Sequence, residues 1–249
     1  MFWNQSEENI WIVGHRGVKA IRPENTLISF QKAIELGLDG LETDVHMTTD
    51  GQLVLHHDDE LDRTTDGTGK IESYSFAELR KLDAGVRFSP EYAGQRIPRL
   101  EELLEMVEDP DFFLNIEMKD YRPEALRKII ETMERYGFHD RYVIACFDAN
   151  VTTLAHKEYG VKTQGFPLYM VQNVKEDTES HYYASGIYRG DLNTQWVEDY
   201  KKKGIDPWCW CTDTEEEVRS VITKGVTLVT VNDPYAALKV LRGKDLKGE

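Results

Sequence analysis

Glu42, Asp44 and His46 alternate along the apolar run that begins at Gly40. If that run is a strand, all three side chains point to one face. Glu117 and Lys119 repeat the spacing at the end of a second apolar run, Phe112–Met118, and a third, Ile10–Val13, leads into Gly14-His15-Arg16-Gly17. Three unpaired carboxylates a few ångströms apart would repel one another and could not all stay ionised. A divalent cation resolves the conflict, and an all-oxygen ligand set favours a hard ion (Mg²⁺, Ca²⁺ or Mn²⁺) over Zn²⁺. Three protein ligands leave positions open for water or a phosphate oxygen. A further pair, His56-His57, is followed by Asp58. If one of them faces His15 across such a cation, the two imidazoles can serve as base and acid at a phosphorus centre.

Taken singly, each feature has a plainer reading. Glu42 and Asp44 could line an exposed strand face, although the strand is otherwise apolar and reads as buried. Glu117 and Lys119 could be a simple ion pair, and His56-His57 a hairpin surface. His139, His156 and His181 lack partners in the sequence and read as solvated. Trp3, Trp11 and Trp196 read as packing residues. What favours chemistry is the coincidence of several such features at strand ends.

Those strand ends need a frame. Short apolar runs at Ile10–Val13, Gly40–Val45, Phe112–Met118, Tyr142–Phe147, Val161–Leu168, Gly186–Tyr188, Trp208–Cys211 and Thr227–Val231 alternate with helical patterns. The helices are predicted over Glu24–Leu36, Leu100–Val107, Pro123–Tyr136, Asn150–Tyr159, Thr194–Lys203 and Thr214–Thr223, several of them followed by glycine. This rhythm predicts parallel strands with helical crossovers, and eight strands favour a closed TIM (β/α)8 barrel over an open sheet. In such a barrel the site lies at the C-terminal strand ends. One interval breaks the rhythm: about 65 residues separate the second and third strands, far more than a usual crossover. It opens with the turn signal Asp50-Gly51 and holds a short helix near Ser75–Leu82. Residues 47–98 are therefore read as an insertion on the catalytic end of one domain spanning 1–249.

The formal charge of −15, from 45 acidic and 30 basic residues, disfavours nucleic acid and anionic lipid as partners. An anionic substrate would need a locally positive site. Cys146, Cys209 and Cys211 show no metal-site spacing and suit a reducing compartment. The first residues lack a leader pattern, and no apolar run approaches the roughly 20 residues of a membrane helix. The expectation is a cytoplasmic protein without stable membrane insertion; a homodimer is left open.

In several ordered motifs the chain resembles the glycerophosphodiester phosphodiesterase family. They are Val13-Gly14-His15-Arg16-Gly17, Pro23-Glu24-Asn25-Thr26, Glu42-Thr43-Asp44-Val45, His57-Asp58 with Leu61-Asp62-Arg63-Thr64-Thr65, and Glu117-Met118-Lys119. The resemblance implies a β/α barrel that hydrolyses glycerophosphodiesters to sn-glycerol 3-phosphate and an alcohol. It implies metal ligands at Glu42, Asp44 and Glu117 for one divalent cation, and catalytic histidines at His15 and His57. It selects His57 over His56, which spacing leaves open. By the same likeness Arg16 and Lys119 hold the phosphate, and Glu24 or Asn25 lies near the site. The chain departs from the family pattern at Cys146-Phe147, Trp208-Cys209-Trp210-Cys211-Thr212 and Thr230-Val231-Asn232-Asp233-Pro234, all on the alcohol side. There Phe147 and Trp210 are candidates for an apolar wall against the glycerol backbone, beside a plain packing reading. The rivals are a lysophospholipase D-like or other phosphodiesterase on the same barrel, a non-catalytic binding barrel, and an aldolase-type barrel with a Schiff base at Lys119.

Overall fold

A computed structural model describes residues 9–246. The elements in order are β1 (Trp11–His15), α1 (Leu27–Glu35), β2 (Gly40–Met47), β3 (Leu53–Leu55), α2 (Phe76–Leu79), α3 (Leu100–Met106) and β4 (Phe113–Met118). There follow α4 (Pro123–Arg135), β5 (Tyr142–Ala145), α5 (Ala149–Tyr159), β6 (Thr163–Gly165), β7 (Ala184–Tyr188), α6 (Thr194–Lys202), β8 (Asp206–Trp210), α7 (Glu215–Ile222), β9 (Leu228–Val231) and α8 (Pro234–Arg242). Eight strands pair in parallel in the order β1-β2-β4-β5-β6-β7-β8-β9, and β9 pairs back onto β1. This is the predicted TIM barrel. β3 lies outside it, antiparallel to β2, through the turn at Gly51.

Strand alternation divides the residues of the barrel. Odd members of β1 and their counterparts elsewhere face inward. The lower interior is apolar: Trp11, Val13, Phe113, Val143, Ala184, Trp208 and Leu228 pack together. The ring centroids of Trp11 and Phe113 are 5.4 Å apart, those of Phe113 and Trp208 5.7 Å. Gly40 makes room for this plug, because a Cβ there would lie 2.3 Å from the Phe113 carbonyl oxygen. On the same face, toward the C-terminal strand ends, the side chains turn polar. The outward faces of the strands pack against the helices in two clusters, one centred on Leu41, Leu114, Ile129 and Ile144, the other on Ile12, Ile187, Val218 and Val229.

Several boundaries differ from the sequence reading. The β6 strand is three residues long, because Pro167 ends the run predicted to continue to Leu168. The β6–β7 crossover is made of two 3-10 turns, Leu168–Met170 and Thr178–His181. The final helix, α8, was not foreseen; Asp233 caps it by accepting from the Tyr235 N–H at 3.0 Å, and Pro234 opens it. The interval between β3 and α3 folds around a small core of its own, Val54, Leu61, Ile71, Leu79, Ala84 and Ile97. Two histidine expectations are corrected. His181 is buried rather than solvated, with Nδ1 3.1 Å from Thr153 Oγ1. His56 is buried rather than on a hairpin surface, its Nε2 3.2 Å from the Glu60 carbonyl. Trp11 is core and Trp196 half-buried, whereas Trp3 lies outside the described residues. No helix among the described residues is long and apolar enough to cross a membrane.

Candidate active site

β2 and β4 lie side by side, and their register pairs Glu42 with Asn115 and Asp44 with Glu117. Both strands send these side chains inward above the aromatic plug. Glu42, Asp44 and Glu117 each offer an oxygen, and those atoms lie within 4.8 Å of one another. Among the described residues this is the cluster able to hold a metal ion. Burial pushes Glu42 well above the usual carboxylate range, and the charges of Asp44 and Glu117 push the same way. Glu117 is raised for the same first reason. Burial would raise Asp44 too, but Lys119 and Arg16 outweigh it and hold it below its ordinary value. Glu42 Oε1 is buried with no hydrogen-bond partner. A buried orphan oxygen in an all-carboxylate nest fits a hard divalent cation, which would let all three groups ionise together.

Two cations border the nest. Lys119 reaches Asp44 Oδ1 at 3.2 Å and donates a short hydrogen bond to Glu117. Burial alone would lower its pKa, but those carboxylates raise it, so the amine stays protonated. A protonated lysine is no nucleophile, which removes the support for a Schiff-base reading. Arg16 lies on the β1–α1 loop with φ +53. Its Nη1 donates to Glu24 Oε1 at 2.9 Å, and its Nε lies 3.4 Å from Asp44 Oδ2. Gly17 (φ +85) follows it, and a Cβ there would meet Ser29 Oγ at 2.3 Å. Glycine is what lets that loop close over α1.

The histidines flank this cluster. His15 ends β1, with Nε2 3.8 Å from Glu42 Oε2 and Nδ1 2.6 Å from Asn232 Oδ1. Burial, then the charges of Arg16 and Lys19, lower its pKa to about 3, which leaves the ring neutral. His57 comes from the segment after β3. Its Nδ1 is 2.6 Å from Asp58 Oδ1, and Arg63 Nε donates to the other Asp58 oxygen at 2.6 Å. Arg63 then reaches back to Glu24 at 2.7 and 2.8 Å. The chain His57–Asp58–Arg63–Glu24–Arg16 thus ties the insertion to the barrel rim.

A cavity of about 120 Å³ joins these groups. It is lined by His15, Arg16, Glu42, His57, Glu117 and Lys119 on one side and by Phe147, Phe166 and Trp210 on the other, with Asn115 and Gln164 also in its wall. Phe147 stacks on Phe166 with centroids 3.6 Å apart and planes within 7°. Of the expected metal ligands, catalytic histidines, phosphate-holding residues and apolar-wall residues, all but Asp44 line the cavity, and Asp44 is fully buried within the carboxylate nest. His46 is turned instead toward His56, with ring centroids 6.3 Å apart.

Asn25, expected near the site by the family likeness, is there, whereas the parts played by Phe166, Asn232 and Cys211 were missed. Asn25 donates to Asp44 Oδ2 at 2.8 Å and accepts from Thr43 Oγ1 at 2.7 Å, which fixes the orientation of the carboxylate. Phe166 was placed only as part of a strand. Asn232 and Cys211 both touch His15 Nδ1, at 2.6 and 3.2 Å, across more than 190 residues of chain. No local signal could have paired them, since barrel closure alone brings β9 beside β1.

Carboxylates, imidazoles and guanidinium around one cavity at the C-terminal rim of a parallel barrel are suited to a phosphate diester, and the fold and site define a TIM-barrel phosphodiesterase. The sequence comparisons narrow the class. Residues 15–236 match the model of the glycerophosphoryl diester phosphodiesterase family, and the chain belongs to that family. A glycerophosphodiester phosphodiesterase of Caldanaerobacter subterraneus subsp. tengcongensis is 35% identical over 242 residues, 93% of this chain and 97% of that protein. One from Bacillus altitudinis is 31% identical, covering 92% of this chain and 97% of the other. A phosphodiesterase of Oleispira antarctica, solved with its product sn-glycerol-3-phosphate, superposes with a TM-score of 0.85 at 26% identity, covering 94% of this chain and 97% of that one.

Proposed function

We propose that this enzyme hydrolyses glycerophosphodiesters to sn-glycerol 3-phosphate and an alcohol, by acid–base catalysis at His15 and His57 beside one divalent cation on Glu42, Asp44 and Glu117. The observation that carries this reading is the pairing of both histidines. Each has its Nδ1 against an oxygen acceptor, Asn232 for His15 and Asp58 for His57. An Nδ1 that donates leaves Nε2 free to move a proton, and both rings line the cavity that holds the carboxylates. The product bound in the Oleispira antarctica relative supports the substrate class.

When bound, the cation neutralises charge on the non-bridging phosphate oxygens; Mg²⁺ or Ca²⁺ suits the ligand set best, with Mn²⁺ as a further member of the class. Arg16 grips the phosphate from the β1–α1 loop, and Lys119 balances the acidic cluster beside it. One histidine takes the proton of the nucleophile at Nε2. The other gives a proton to the leaving alcohol oxygen as its bond to phosphorus breaks. The nucleophile is water or the glycerol 2-hydroxyl; the latter forms a cyclic phosphate first, which rapid quench would trap. Phe147, stacked on Phe166, and Trp210 offer an apolar wall to the glycerol backbone. In this reading residues 1–249 form one catalytic domain, with 47–98 as the insertion that delivers His57.

The test is release of sn-glycerol 3-phosphate from glycerophosphocholine and glycerophosphoethanolamine, with each metal and with EDTA. Release should need the metal and fall by about 100-fold or more in Glu42→Ala and in His57→Ala. Metal-independent release, or full activity in either variant, would overturn the assignment.

A further inference from the structure

The parallel register of β1 with β9 sets Gly14 beside Val231, so His15, the last residue of β1, meets Asn232, the first residue after β9. There Asn232 Oδ1 lies 2.6 Å from His15 Nδ1. The two ends of an asparagine amide are alike in shape, and its orientation must be read from the surrounding network. Here the network leaves one choice. The far end of the Asn232 amide lies 2.6 Å from Asp213 Oδ2. The other oxygen of Asp213 accepts the backbone N–H groups of Asn232 at 2.7 Å and of Asp233 at 3.0 Å. A carboxylate that already accepts two backbone N–H groups can only accept at its other oxygen too. Asn232 must then turn its NH₂ to Asp213 and its oxygen to His15. An oxygen facing Nδ1 requires the hydrogen to sit on Nδ1, which leaves the lone pair on Nε2, the nitrogen on the Glu42 side of the ring. Cys211 Sγ also approaches Nδ1, at 3.2 Å, but a thiol is a weak donor and a weak acceptor, and it does not compete with an amide anchored on a charge.

We propose that Asp213 and Asn232 are positioning residues that set the tautomer of His15, a polarity relay running from carboxylate to amide to imidazole. The relay rests on the reading of His15 as the acid or base. In either role the proton crosses at Nε2, and an Nδ1 held by Asn232 stays out of the exchange. Neither Asp213 nor Asn232 lines the cavity; both act through His15. The arrangement parallels the second group that fixes a catalytic imidazole in other hydrolases, here with a neutral amide interposed between the charge and the ring.

The relay has a sign that can be reversed. In Asp213→Asn the side-chain oxygen can still accept the two backbone N–H groups, but an NH₂ now faces the Asn232 amide. Asn232 then turns its oxygen to position 213 and its NH₂ to His15, and Nε2 takes the hydrogen. Restoring the direction needs only the complementary change: with Asn232→Asp added, the new carboxylate accepts both from the amide at 213 and from Nδ1. The experiment is steady-state hydrolysis of glycerophosphocholine together with ¹⁵N chemical shifts of His15 in the Mg²⁺-loaded protein, assigned by loss of the signal in His15→Gln. Asp213→Asn should lower kcat by about 100-fold or more, with KM changed by less than about threefold, and should move the hydrogen from Nδ1 to Nε2. The double variant should return the Nδ1–H signal and most of kcat. The relay is wrong if Asp213→Asn keeps the wild-type tautomer, or if the double variant remains as slow as the single one. Should Asp213→Asn not fold, Asn232→Ala reads the same signal with Asp213 still on its backbone amides, and an unchanged Nδ1–H there would overturn the proposal. Failure of the underlying reading is distinct: His15→Ala would then stay active, whatever the ring shifts in the relay variants.

Discussion

Lys119 is the side chain in the site whose surroundings pull hardest in opposite directions. It is largely buried, which opposes its charge, yet it lies between Asp44 and Glu117, which hold that charge in place. One ammonium and one guanidinium face three carboxylates, so the cluster keeps a net negative charge that a divalent ion can offset. Removing the ammonium raises that negative charge at a distance of a few ångströms, where Coulomb terms are large. Lys119→Met should therefore bind Mg²⁺ more tightly and yet hydrolyse more slowly, by about 100-fold in kcat if the lysine also meets developing charge on the phosphate. Calorimetric titration of Mg²⁺ and steady-state rates on the same preparation check the two halves. Weaker Mg²⁺ binding in the variant would mean that Lys119 organises the carboxylates and does not merely balance them.

At the level of elements, the segment after β3 is joined to the barrel through one carboxylate. Glu24, at the end of the β1–α1 loop, is shared by Arg16 of the barrel and Arg63 of the insertion. Burial would raise its carboxyl, but the hydrogen bonds from Arg63 and the charges of both guanidinium groups outweigh that and bring it to about 2 from 4.5. A carboxylate depressed in the folded state stabilises the fold above its unfolded pKa, and the stabilisation is lost as the pH falls through the folded value. Glu24→Gln should cost about 1–3 kcal/mol at neutral pH. The gap in Tm between variant and wild type should close as the pH is lowered from 4.5 toward 2, and a gap independent of pH would refute the assignment. This linkage also shows what the sequence could and could not reveal. Period-two alternation placed Glu42 with Asp44 and Glu117 with Lys119 correctly, because strand parity is a local property. The hairpin at Asp50-Gly51 was legible for the same reason. The choice of His57 over His56 came from family likeness, since spacing does not say which of two adjacent rings turns inward. His56 is buried against the Glu60 carbonyl, with its backbone N–H donating to the Asp44 carbonyl where β3 runs beside β2, a contact that no local pattern encodes. Glu24 with Arg63 and His15 with Asn232 were equally out of reach, for they join segments that meet only when the barrel closes.

On the scale of the molecule, a surface with a net charge of −15 surrounds a site built for a phosphate. Inside the cavity Arg16 and Lys119 partly offset Glu42, Asp44 and Glu117, and a divalent cation held there would offset the rest, so attraction is confined to the mouth, while the remainder of the field repels anions from a distance. The consequence depends on the substrate. Glycerophosphocholine carries one negative and one positive charge, and a net-neutral molecule is little affected by the long-range field. A diester whose alcohol is uncharged, such as glycerophosphoglycerol, keeps a net negative charge and must approach against it. Salt shortens the reach of that repulsion, from about 30 Å at 0.01 M ionic strength to about 8 Å at 0.15 M. Over this range kcat/KM for glycerophosphoglycerol should rise about two- to fivefold, whereas that for glycerophosphocholine should stay nearly flat. Parallel measurements at fixed Mg²⁺, with the salt varied as KCl, separate screening from metal occupancy. A fall in kcat/KM for the anionic diester would show that attraction at the mouth reaches beyond the acidic surface, and that the cavity's cations govern the approach as well as the grip.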